Sequence, residues 1–194
     1  QTSKIGVVDA RGDVLVQSVI RTDGHSDAAD FVADLAAAIK ELVVKADKVG
    51  QIRGIGVGAP NGNYYTGEIA FAPNLEWAAD EAVPFSRMLS EALGGIPVSL
   101  TNDANAAAVG EMTYGAAKGM KDFIMITLGT GVGSGIVING QVVYGHDGFA
   151  GELGHTCAVR HNGRQCNCGK TGCLEAYCSA IGVARTAREW LDMT

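Results

Sequence analysis

The sequence predicts an α/β fold in which strands and helices alternate after an initial β-hairpin. Short β-branched runs alternate along the chain with longer stretches whose apolar residues recur at helical spacing. Glycine makes up 27 of the 194 residues, about twice its usual share, and it is concentrated in 54–67 and 129–154. Such clusters mark backbone that turns tightly or lets another group approach closely.

The predicted elements of the first part of the chain are strands over 4–8 and 14–20, a helix from 27 to 50, a strand over 52–58, a helix over 84–93, a strand over 97–101 and a helix over 104–117. The first two strands read as a hairpin around Gly12. Ser26 or Asp27 is the expected N-cap of the first helix, and Gly50 its stop. The glycines near 117 predict a lobe boundary, with a small lobe over 1–117 and the start of a large lobe over 118–194.

The second part is predicted to contain a strand over 123–128, a tight turn over 129–134, a strand over 135–138, a strand over 141–144, an irregular segment over 145–172 and a helix over 174–191. Asn139-Gly140 is a type I′ turn signal, so the strands on either side of it should form a hairpin.

The charge of the chain argues against two classes of partner. The formal net charge is −6 and the isoelectric point is near 5.1. Nucleic acids and anionic membranes both favour a basic surface, so neither is expected. No apolar run approaches the 18 residues of a membrane span, and a cytoplasmic location is expected.

The first candidate site is the run from Thr127 to Gly135, where four glycines alternate with other residues after a strand. Backbone N–H groups of such a turn can converge on phosphate oxygens, with the hydroxyls of Thr130 and Ser134 as further donors. The run has no P-loop lysine and leads into a strand, so neither the Walker nor the Rossmann pattern applies. Phosphate binding and a plain glycine-rich hairpin therefore stay equally open.

The second candidate is Asn102-Asp103, directly after the strand over 97–101. In α/β folds, the carboxyl ends of strands open on the ligand crevice. A carboxylate there can accept the proton of a substrate hydroxyl as a general base. The alternative is that Asp103 caps the following helix.

The third candidate is a Cys₃His set for a structural zinc ion, made of His155, Cys166, Cys168 and Cys173. All five cysteines fall within 22 residues, which suits one local metal site better than a disulfide framework. Cys157 or His161 could replace one ligand, and Cys178 is expected to be a small buried apolar residue. Glu152 and Glu175 flank the set and could hold sugar hydroxyls, unless they are solvated or cap helices.

Taken together, these motifs resemble the ROK family of sugar kinases and sugar-responsive repressors. The matching segments are collinear, cover nearly the whole chain and lie at 56–61, 74–77, 102–107, 128–133, 151–155 and 166–175. The resemblance implies an actin-like ATPase fold of the ribonuclease H-like class, with two lobes and a sugar cleft.

The resemblance also implies a function: ATP-dependent phosphorylation of a hexose, with glucose expected, at its 6-hydroxyl. Asp103 would be the catalytic base, and Mg²⁺ would accompany ATP. The implied sugar-binding residues are Asn61, Gly62, Asn102, Asp103, Glu152, His155 and Glu175. The implied phosphate contacts are Gly129, Thr130, Gly131 and Gly133.

Kinases of this family carry an Asp-x-Gly-Gly-Thr phosphate loop ahead of the hairpin that here includes Lys4, and this chain lacks it. We therefore expect a piece of a longer kinase, incomplete at both ends, which keeps the sugar and zinc sites without full activity. The full-length protein is expected to be a dimer or tetramer. A ROK-type repressor and a non-catalytic, zinc-stabilised sugar-binding module are the alternative functions.

Overall fold

The computed structural model describes residues 2–192, and the chain divides into two compact units between Asp103 and Ala104. The elements of the first unit are β1 (Thr2–Val8), β2 (Val14–Arg21), α1 (Ala28–Lys45), β3 (Ile55–Ala59), β4 (Ile69–Ala70), β5 (Ala82–Val83), α2 (Phe85–Ala92) and β6 (Val98–Asn102). The elements of the second unit are α3 (Asp103–Tyr114), β7 (Phe123–Leu128), β8 (Val132–Ile138), β9 (Gln141–Val142), α4 (Glu175–Cys178) and α5 (Ala180–Asp192). The first residue of α3 still belongs to the first unit. Mixed strands and helices confirm the α/β class, and the lobe boundary after 117 stays a prediction.

Strand pairing in the first unit puts two strand ends side by side. β1 and β2 form the expected antiparallel hairpin. β3 and β6 are parallel, and their last residues, Ala59 and Asn102, are partners in the register. The carboxyl ends of both strands therefore open at one edge, where parallel sheets present polar groups to ligands.

The core of the first unit is built around three stacked aromatic rings. Phe31 of α1 lies 5.0 Å from Trp77 and 6.2 Å from Phe85 between ring centroids. All three side chains are at most 5% exposed, and Leu89 and Leu100 are buried beside them. Burying an aromatic or leucine side chain contributes roughly 1.5–3 kcal/mol each, so this cluster holds α1 and α2 against β6.

The second unit is a three-stranded antiparallel sheet with one helix packed closely on it. β8 pairs with β7 on one side and with β9 on the other. Asn139 and Gly140 both have positive φ, as the predicted type I′ turn requires. A Cβ atom on Gly135 would lie 2.7 Å from that of Ala108, so α3 can approach β8 only over a glycine.

Several element boundaries differ from the prediction. α1 ends at Lys45, before Gly50, because Asp47 takes the left-handed conformation and Lys48 N donates to Val43 O. The helix expected over 174–191 is two helices, since the chain becomes extended at Ser179 (φ −69°, ψ 165°). β3 begins at residue 55 and not at 52.

Within residues 2–192, no helix is both long and apolar enough to cross a bilayer.

Candidate functional site

The predicted residues Asn102 and Asp103 lie at the shared edge of β3 and β6. Asn102 is the last residue of β6, and Asp103 is the exposed first residue of α3. The carboxylate therefore stands at the N-terminal end of a helix. Asp103 lies inside the helix, one position beyond the N-cap that the alternative interpretation predicted.

The loop after β3 lies against the end of β6. Gly62 is buried, and a Cβ atom there would come within 2.6 Å of the carbonyl oxygen of Thr101. Asn61 has a positive φ, and its amide nitrogen donates to the carbonyls of Ala70 and Phe71 at 3.0 and 2.9 Å. Both protons of this amide are thus used inside the protein, and Asn61 can offer a ligand only its amide oxygen.

The predicted phosphate turn is shorter than the sequence indicated. Leu128 and Val132 are partners in the register of β7 and β8, so only Gly129, Thr130 and Gly131 form the turn. Gly129 and Thr130 are exposed. Gly129 N donates to Gly131 O, and Val132 N donates to Glu175.

Two residues of the glycine run, Ser134 and Gly133, make close contacts within the protein. Ser134 is buried in β8, where its hydroxyl donates to Gly151 O, so the expectation that it donates to phosphate is wrong. A Cβ atom on Gly133 would lie 2.7 Å from Thr127 Oγ1 and 2.9 Å from Ala104 Cβ. Close packing against α3 therefore explains this glycine, and its contact with phosphate stays a prediction.

The four predicted zinc ligands come together in the second unit. The donor atoms of His155, Cys166, Cys168 and Cys173 all lie within 4.8 Å of one another. Cys166 Sγ is 3.7 Å from His155 Nδ1, and Cys168 Sγ is 3.7 Å from Cys173 Sγ. Zinc–sulfur bonds of 2.3 Å in a tetrahedron put sulfurs about 3.8 Å apart, so the donor set and its spacing fit zinc.

Turns in the backbone bring these ligands together. Gly169 has a positive φ, and its N–H donates to Cys166 O, which closes a tight turn around Cys168. Cys157 is the partner of Cys173 in an isolated bridge, yet it is exposed and outside the cluster. Cys178 lies in α4 and is half-buried.

The thiols of the cluster differ in the direction in which their pKa is shifted. Burial raises the pKa of Cys173 to about 12 and also raises the pKa of Cys166. A hydrogen bond from the backbone N–H of Lys170 is the main cause that lowers the pKa of Cys168. Two buried protonated thiols would have to lose their protons for a cation to bind, as metal sites of this type require.

The two glutamates next to the cluster have different surroundings. Glu152 is exposed and precedes the 3-10 turn Leu153–His155, to which its side chain makes no capping hydrogen bond. Glu175 is half-buried, and its Oε2 accepts the N–H of Val132 at 2.8 Å. The alternative interpretation, in which this residue is solvated or caps a helix, therefore does not describe Glu175: it is half-buried and binds a backbone N–H of another segment. His155 turns Nδ1 towards the sulfur of Cys166.

Asn105 was not singled out from the sequence. Its side chain is 2% exposed, and among residues 2–192 its Oδ1 finds no hydrogen-bond donor. A buried amide oxygen without a donor is uncommon and costs roughly 1–3 kcal/mol. Asn105 lies in the segment 102–107 that carries the resemblance, and this is the signal in the sequence that points to it.

Comparisons with known proteins give three findings. A glucokinase of Halalkalibacterium halodurans is 41% identical over 190 residues, which are 97% of this chain and 56% of that protein. A ROK family glucokinase from Streptomyces griseus, solved with glucose and AMPPNP, is 36% identical with a TM-score of 0.76; the match covers 98% of this chain and 59% of that one. A putative xylose repressor of Caldicellulosiruptor is 40% identical over 144 residues, 73% of this chain and 35% of the repressor.

The chain thus spans little more than half the length of the glucokinases it matches. Its fold is that of the ROK glucokinases, an actin-like ATPase fold. The sequence model of the ROK family matches residues 2–194. On this evidence the chain belongs to the ROK family.

Proposed function

We propose that this chain is part of an ATP-dependent sugar kinase that phosphorylates a hexose, glucose first among them, at its 6-hydroxyl. One observation supports this most directly. Asp103 stands exposed at the end of β6, while the chain also has an exposed glycine turn, 129–131, of the kind that binds phosphate. A sugar-binding module without catalysis would have no need of the phosphate-binding turn.

Asp103 is the proposed general base. Phosphoryl transfer passes through a loose transition state, so the protein acts mainly by aligning the hydroxyl with the γ-phosphate. The Asp103 carboxylate accepts the proton of the sugar hydroxyl. At the same time the hydroxyl oxygen bonds to the γ-phosphorus, and ADP leaves. Mg²⁺ bound with ATP offsets the phosphate charge.

The residues that we assign to the sugar are Asn61, Gly62, Asn102, Glu152, His155 and Glu175. Because Nδ1 of His155 faces the cysteine sulfur, we assign Nε2 to a sugar hydroxyl. Glu175 would offer Oε1, since Oε2 already accepts the amide of Val132.

The phosphates of ATP would meet the turn after β7. Gly129 N and Val132 N donate within the protein, so we assign the phosphate contacts to the amides of Thr130 and Gly131 and to the Thr130 hydroxyl. Gly133 would contribute only through its backbone.

Zinc at His155, Cys166, Cys168 and Cys173 would be structural, since four protein ligands close its coordination shell. When bound, it would fix the loop that carries His155 and the start of α4. The thiol spacing and the donor set support this assignment.

A sugar-responsive repressor is the second candidate. The similarity to the Caldicellulosiruptor repressor, 40% over 144 residues, favours it. Such a protein would need the sugar and zinc sites but no phosphate-binding turn, so the Gly129-Thr130-Gly131 turn together with an intact Asp103 favours the kinase.

The test uses the full-length protein with ATP and Mg²⁺ and a panel of glucose, mannose, fructose, N-acetylglucosamine and xylose. We expect sugar-dependent release of ADP, fastest with glucose, and a 6-phosphorylated product by mass spectrometry and NMR. The kinase proposal would be contradicted if the protein binds sugar but no sugar of the panel causes release of ADP. Sugar-dependent DNA binding in the same preparation would then identify the repressor.

A further inference from the structure

Both ends of the glycine turn are tied to the segment that follows Cys173. The carbonyl of Gly129 accepts the N–H of Ala180 at 2.8 Å. At the other end, the N–H of Val132 donates to Oε2 of Glu175, also at 2.8 Å. Glu175 is the first residue of α4 and Ala180 the first of α5, so both helices meet the turn with their N-terminal residues.

The carboxylate of Glu175 also lies close to Gly131. A Cβ atom on Gly131 would lie 2.5 Å from Oε2 of Glu175, so no larger residue fits without moving this carboxylate. The other oxygen of Glu175 lies 3.8 Å from Sγ of Cys166. One half-buried carboxylate therefore contacts both the turn and the thiol cluster.

We propose that Glu175 and the backbone N–H of Ala180 are positioning groups for the nucleotide, in addition to any contact of Glu175 with sugar. A Gly-Thr-Gly turn held only by its strands samples many backbone conformations, and ordering them weakens phosphate binding. Two hydrogen bonds at its ends preorganise the amides of Thr130 and Gly131 before ATP arrives. This inference rests on the proposed kinase function.

Ala180→Pro tests this idea without changing a side chain that contacts either ligand. Proline has no N–H, and its ring carbon would push the Gly129 carbonyl away. The position accepts proline, because it is the first residue of a helix and the preceding Ser179 is extended. Ala180→Ser keeps the N–H and is the matched control.

In the full-length protein we expect Ala180→Pro to raise KM for ATP and the Kd of an unhydrolysable ATP analogue by at least 5-fold relative to Ala180→Ser. The Kd for glucose, measured by calorimetry without nucleotide, should stay within 2-fold. Equal ATP affinities in the two folded variants would overturn the inference. A native protein that neither binds nucleotide nor phosphorylates a hexose would instead refute the proposed function.

A second pair of variants decides the matter if Ala180→Pro does not fold. Glu175→Gln keeps an oxygen that can accept the N–H of Val132, whereas Glu175→Ala removes it. We expect the affinity for the ATP analogue, measured without sugar, to fall in Glu175→Ala and to be largely restored in Glu175→Gln. A residue that contacts sugar alone would leave nucleotide affinity equal in both variants, and that result would overturn the inference.

Discussion

Arg164 pairs with Glu189 across 2.6 Å and thereby fastens the cysteine-rich segment to α5. The guanidinium also donates to the carbonyls of Ala176 and Gly182 and lies 4.7 Å from the centre of the Tyr177 ring. These contacts join the segment before Cys166 to both helices after Cys173. The hydrogen bonds from α4 and α5 to the glycine turn depend on helices held in this way.

The ion pair predicts a loss of stability in acid. Arg185 and Arg164 lower the pKa of Glu189 below its ordinary value of 4.5. A carboxyl with a lower pKa in the folded state stabilises the protein above its unfolded pKa, and this contribution disappears as pH falls through the folded pKa. We expect Glu189→Gln to lower Tm at pH 6, with the difference from native shrinking below about pH 4. A Tm difference that is independent of pH would contradict this role.

A second prediction concerns the contact between Gly62 and the end of β6. Because a Cβ atom at 62 would meet the carbonyl of Thr101, Gly62→Ala should destabilise the protein by about 1–3 kcal/mol and weaken sugar binding. Gly56→Ala is the matched control, since nothing lies within 4 Å of its Cβ position. Denaturant unfolding measures both. Similar stabilities for the two variants would show that the loop after β3 can move away from the strand at little cost.

A third prediction separates the metal ligands from the other cysteines. Metal analysis should find about one zinc per chain in the native protein and in Cys157→Ser, whose thiol is exposed and outside the cluster. Cys168→Ser should lose the metal and, with it, tight sugar binding, because His155 is no longer fixed. A metal-free protein that binds glucose with native affinity would show that the two sites are independent.

Local sequence signals were sufficient for much of the fold. The strand over 123–128, the Asn139-Gly140 turn and an N-cap at Ser26 or Asp27 depend on near neighbours, and the structure confirms them, with Asp27 as the cap. The grouping of His155 with the three cysteines could be predicted for the same reason, because these residues lie in one short segment.

Contacts between distant residues could not be predicted in this way. One example is the hydrogen bond between Ser134 and Gly151, and another is that between Glu175 and the N–H of Val132. The second joins residues 43 positions apart in the chain. The end of α1 was misplaced because Asp47, and not a glycine, takes the left-handed conformation there. No periodic pattern carries such information.

The role of Asp103 as general base is the central claim, and Asp103→Asn in the full-length protein tests it most directly. The amide keeps the size and polarity of the side chain but cannot accept the proton of the 6-hydroxyl. We predict that kcat for glucose phosphorylation falls by about 10²–10⁴-fold while the Kd for glucose stays within a few-fold of native. Turnover close to that of the native enzyme would remove Asp103 from the role of base and contradict the mechanism.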